Sequence, residues 1–109
     1  MKIDLLNITK LRTLSDKIVD TIISKTGIDP TIDNRSPLTV IARTVWITEL
    51  VRRGYTQTEV ASVIGDIRSR PTVCNSISRY NKWMDEPRFY KTEHWMATLL
   101  HDILVTEIG

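Results

Sequence analysis

Thr72, Asn75, Ser76 and Arg79 follow one another at steps of three, one and three residues, a spacing that gathers them on one face of a helix. Each carries a short or planar hydrogen-bonding group. A face that needs only solvation more often carries Glu and Lys, paired along the helix. Thr, Asn, Ser and Arg instead suit contact with base edges and phosphate oxygens. Just upstream, Arg68 and Arg70 bracket Ser69 in a turn that leads into the same helix. Backbone N–H groups at a helix N-terminus add to the charge of two such arginines, so the turn seeks anions. On this reading Arg70, Thr72, Asn75, Ser76 and Arg79 line a major groove, with Ser69 beside them. Arg68, Lys82 and the more distant Arg43 hold phosphates or enter the minor groove.

Two helices and a turn must position this set. Gly54 is suited to close a preceding helix in the left-handed conformation. Thr56 is a good N-cap, and Glu59 three residues on completes a capping box, with Tyr55 and Val60 placed as a hydrophobic staple. Val60, Ala61, Val63 and Ile64 form the apolar stripe of a short helix that Gly65 ends. The second helix is expected from about Arg70, with Ser69 as N-cap and Pro71 in the first turn. Its buried stripe is Val73, Ile77, Tyr80 and Met84, with Cys74 beside it as a small buried hydrophobe. Pro87 ends it.

The flanking segments read as packing helices. Over residues 1–27, Leu11, Leu14, Ile18 and Ile22 form a stripe that Val19 and Ile23 widen, and Gly27 is the stop. Residues 29–36 (DPTIDNRS) are a linker of turn formers. Ser36 and Pro37 then open a helix so apolar that it should be central, with Arg43 pointing outward from it. Arg52 and Arg53 close it, where the helix dipole favours them as much as a DNA contact would. Thr92 is positioned to cap a last helix whose stripe is Met96, Leu99, Leu100, Ile103 and Leu104. Trp83, Phe89, Tyr90 and Trp95 surround the break before it and read as a core corner rather than a base-stacking platform. The whole is expected to be all-α, with about five helices: a packing helix and linker (1–34), a helix-turn-helix core (35–91) and a C-terminal packing helix (92–109).

Composition sets the bounds. With 109 residues, 41% hydrophobic and 26% charged, the chain is long enough for one core without disulfides or metal. The net charge of +2 is unevenly spread. Residues 35–91 carry ten Lys/Arg against five Asp/Glu, whereas residues 92–109 carry three acidic groups and no basic one. Positive charge thus concentrates around the two helices, which favours a polyanion as partner. No apolar run approaches a membrane span and the start lacks a signal-peptide pattern, so the expected compartment is the cytoplasm. His94 and His101 have no supporting cysteine, so no zinc site is expected. Neither a nucleophile–base arrangement nor a carboxylate pair on an apolar face occurs, so neither enzymatic activity nor a cofactor is expected.

Residues 36–83 resemble the C-terminal DNA-binding domain of the bacterial replication initiator DnaA, a Trp-repressor-like helix-turn-helix. In that family a long helix bearing an exposed arginine is followed by a helix ending in a pattern like E-I-G-x-x-F-G. A basic turn, G-R-D-H-T-T-V, then leads into the recognition helix. Here Glu59-Val60-Ala61 and Ile64-Gly65 match the first pattern, and Arg68, Thr72 and Val73 match the second. Arg43 falls within a residue of the family's exposed arginine, which enters the minor groove. Ser69, Arg70 and Pro71 stand where the family has Asp, His and Thr, which implies a different base preference. One residue is added between Gly65 and Arg68, one is missing in the Gly54 turn, and no Walker-type phosphate loop occurs. The resemblance implies sequence-specific binding of double-stranded DNA, in replication or regulation of a bacterium, phage or mobile element. The competing expectation is a helical module that binds a protein partner or itself through its outer helices; homodimerisation through the N- or C-terminal helix is compatible with either.

Overall fold

The computed structural model describes residues 5–32, 35–64 and 69–109, and the backbone alone for Ser69 and Arg70. Five helices follow one another: α1 (Leu5–Thr26), α2 (Pro37–Arg52), α3 (Gln57–Ile64), α4 (Ser69–Asp85) and α5 (Lys91–Ile108). No strand occurs among the described residues. Nor, among them, is any helix long and apolar enough to cross a membrane.

The most apolar helix is central. α2 packs on all four of the others. It buries Ile41, Ala42, Val45, Trp46, Ile47 and Leu50 around much of its circumference. Pro37 stands in its first turn, where a missing N–H costs nothing, and Ser36 occupies the N-cap position without a side-chain capping bond. α1 lies across α2, α3 and α5. Its deep positions are Leu11, Ser15, Ile18 and Ile22. Leu14 is half-buried and Ile23 exposed, so the stripe is turned toward Ser15. The reason is polar: the buried Trp46 indole needs an acceptor, and its Nε1 donates to Ser15 Oγ at 3.0 Å.

Glycine closes two helices as expected. Gly27 (φ +76°) ends α1 and its N–H reaches Ile23 O at 2.8 Å. Gly54 (φ +104°) follows α2, with its N–H on Val51 O at 3.1 Å. After Gly27 the chain is held by Asp29, whose Oδ1 accepts the Thr31 N–H at 2.9 Å and the Thr31 hydroxyl at 2.6 Å. Those two bonds, the hydroxyl's first, hold the Asp29 carboxyl below the usual carboxylate range.

Between α2 and α3 the capping box is formed in full. Glu59 N–H donates to Thr56 Oγ1 at 3.1 Å, and Thr56 N–H donates to Glu59 Oε1 at 2.8 Å. The second oxygen of Glu59 accepts Asn7 Nδ2 of α1, so this cap also fastens α3 to the first helix.

One expected boundary moves. α5 begins at Lys91 with Tyr90 in the N-cap position, so Thr92 is helical rather than a cap. The N–H groups of Phe89 and Tyr90 both bond to Glu86 O, which turns the chain within one step and starts the helix early. The buried stripe of α5 is Met96, Ala97, Leu100 and Leu104; Leu99 is exposed and Ile103 half-buried. Small Ala97 takes a fully buried position, and the bulk of Leu99 is turned outward.

Candidate nucleic-acid interface

α4 presents the candidate surface, and its inward residues decide which side faces out. Val73, Ser76, Tyr80 and Trp83 are buried, and Ile77 and Met84 only partly so. The expected stripe ran through Ile77 and Met84. Burying the larger Trp83 indole instead rotates the helix and carries Ser76 inward to 2% exposure. Ser76 is therefore withdrawn from the contact set. The outward ridge is Pro71, Asn75, Ser78 and Lys82, with Cys74, Arg79 and Asn81 also exposed. Ser78 and Asn81 escaped the sequence reading. For Ser78 the signal was present, because it lies three residues after Asn75 and four before Lys82 on one face.

Asn75, Ser78, Arg79, Lys82, Trp83 and Tyr90 line an open groove of about 450 Å³ along this ridge. From Asn75 to Lys82 the ridge spans roughly 10 Å at 1.5 Å per residue, within the ≈ 12 Å width of a DNA major groove. Lys82 has no acidic partner among the described residues. Arg79 is exposed yet anchored: its Nη1 donates to Thr44 Oγ1 of α2 at 3.2 Å, while that hydroxyl donates to Val40 O at 2.8 Å. Such an anchor orders the guanidinium while other N–H groups still point to solvent. Thr72 is half-buried and lines a second hollow with Arg12, Asp16, Trp46 and Ile64.

The basic turn is only partly within view. Arg68 and the side chains of Ser69 and Arg70 lie outside the described residues. The backbone of Ser69 is already helical, so Ser69 opens α4 rather than capping it.

Arg43 does not extend freely outward. Its Nε donates to Pro30 O at 3.3 Å and its Nη2 to Ile32 O, which pins the α1–α2 connection onto α2. Those carbonyls supply acceptors that a DNA backbone would otherwise have to provide, so Arg43 serves the fold first. Arg52 and Arg53 are likewise engaged internally. Buried Glu49 accepts Arg53 Nε at 3.2 Å and lies 3.1 Å from His101 Nδ1 of α5. Arg52 approaches the same His101 nitrogen at 3.2 Å and stands over the Tyr80 ring at 5.4 Å.

Two further expectations are corrected. Cys74 is exposed, not buried, and its thiol donates to Gln57 Oε1 of α3 at 3.1 Å. The aromatic corner divides: Trp83 is in the core and Tyr90 against it, but Phe89 and Trp95 are 83% and 65% exposed. Only two of the four rings find room beside α2, α4 and α5. Among the described residues no group of three His, Cys, Asp or Glu could hold a metal ion.

No protein-family model, curated protein or solved structure matches the chain.

Proposed function

We propose that this chain binds double-stranded DNA with base preference, α4 being the reading helix and α3 its support. The observation that carries the reading is the outer ridge of α4. Asn75, Ser78 and Lys82 are exposed on a helix whose opposite face is locked into the core by Val73, Tyr80 and Trp83. Arg79 is held in place beside them. Asn reads adenine bidentately and Ser serves either base, whereas Lys meets phosphate or guanine. The excess of basic residues over 35–91 supports the same partner, as does the likeness of residues 36–83 to the DnaA DNA-binding domain. That likeness further favours a role in replication or regulation of a bacterial, phage or mobile-element genome.

Selection of bound duplexes from a random pool is the direct test. Enrichment of a common sequence is the expected result, and its base preference should relax in Asn75→Ala at a cost of about 1–3 kcal/mol. Lys82→Ala should weaken all sequences alike and lower the salt slope by about one. Retention of no duplex at low salt would overturn the reading.

A further inference from the structure

The groove along α4 does not end on the helix. Its far wall is Tyr90, and the next residue back along the chain is Phe89, the most exposed large apolar side chain of those described. Exposed Arg88 and Lys91 flank this ring, and exposed Lys82 closes the end of α4 nearest the corner. Lys91 and Trp95 lie one turn apart on α5, so the second exposed ring shares a helix face with a cation. None of Lys82, Arg88 and Lys91 has an ion pair among the described residues, although Asp85 and Glu86 stand at the start of the corner and Glu93 in the first turn of α5. Around Phe89 an exposed ring stands between cations, the pattern that holds single-stranded nucleic acid: bases stack on rings and phosphates meet the charges.

Building on the duplex-binding reading, we infer that the α4–α5 corner is a stacking site for unpaired bases. The ligand class is then a duplex with a single-stranded continuation. α4 would lie in the groove of the paired part, and the strand leaving it past Tyr90 would stack a base on Phe89 and a further one on Trp95. Arg88 and Lys91 would hold the intervening phosphates. Chain order favours this arrangement, because Tyr90 lines the groove, Phe89 adjoins it in the chain, and Arg88 and Lys91 stand on either side of Phe89.

Trp95 makes the idea measurable, because it is well exposed while Trp46 and Trp83 are 6% and 4% exposed. Nucleic acid stacked on the corner should quench Trp95 emission selectively. The experiment titrates the whole chain with a mixed-sequence duplex of about two helical turns, ~20 bp. One form is blunt and the other carries a single-stranded tail of about six nucleotides. The tailed form should bind more tightly by about tenfold or more, a gain that each stacked base alone can supply, and should quench the emission where the blunt form does not. Phe89→Ala should markedly reduce that advantage with blunt binding unchanged, Phe89→Tyr should restore it, and Trp95→Phe should remove the quench. Equal affinity for the two forms without quenching would overturn the stacking site and leave the duplex reading standing. Binding of neither form would overturn both. Sedimentation of the native chain as a dimer and of Phe89→Ala as a monomer would overturn it too, by assigning the corner to contact between copies.

Discussion

Arg79 Nη1 meets Thr44 Oγ1 at 3.2 Å, joining the exposed edge of α4 to a fully buried position of α2. One residue therefore serves both the packing of α4 and the surface it offers. Arg79→Ala should lower both stability, by about 1 kcal/mol, and affinity for duplex DNA. Thr44→Val should lower stability by a similar amount, yet change affinity less, since the guanidinium is retained. Urea denaturation paired with fluorescence anisotropy of a labelled duplex separates the two effects. Equal loss of affinity in both variants would mean that Arg79 acts only by bracing α4.

The rotation of α4 is testable at two serines two residues apart. Ser76→Gln forces a larger polar chain into the core and should destabilise by about 1–3 kcal/mol. Ser78→Gln stays in solvent and should change stability by less than about 0.5 kcal/mol. Thermal unfolding of the pair decides. The reverse ranking would place Ser76, not Ser78, on the outer face.

Glu59 closes the α3 cap and accepts Asn7 from α1. Glu59→Ala should cost about 1–2 kcal/mol, more than an isolated capping residue, because an α1–α3 contact is lost as well. Adding Asn7→Ala to it should cost little more. Additive losses in the double-mutant cycle would show that the two residues act independently.

Asp29 gives the α1–α2 connection a pH dependence of known sign. Its folded-state carboxyl titrates below the ordinary value of 3.8. The native state is therefore the poorer proton acceptor. Its contribution to stability is fully present above the unfolded value and disappears as the pH falls through the lower, folded one. An NMR titration of the Thr31 amide should show a midpoint below that of a free aspartate. Asp29→Asn should remove the titration while leaving the turn in place. A midpoint at or above 3.8 would contradict the hydrogen-bonded geometry.

Much of the fold was legible because it rests on local signals. Gly27 and Gly54 mark stops through backbone freedom, Thr56 and Glu59 form a reciprocal cap across one turn, and Pro37 and Pro87 punctuate helices. What escaped depends on how whole side chains settle in the assembled core. Ser15 is drawn inward by the Trp46 indole, 31 positions away, and Ser76 by the burial of Trp83. Period alone places a stripe to within about one residue, 100° of helix rotation, so it cannot choose between Met84 and Trp83 as the deeper side chain. Arg43 looked free for the same reason. Its acceptors, Pro30 and Ile32, are carbonyls of a connection whose path no spacing rule describes.

The internal engagement of the arginines on α2 changes how strongly this molecule feels its surroundings. Arg43, Arg52 and Arg53 count fully in any tally of the sequence, yet each already faces a carbonyl, a carboxylate or an imidazole. Dissolved anions compete poorly for groups so occupied. Added electrolyte should accordingly displace fewer ions from the proposed complex with DNA than the bare number of basic residues would imply.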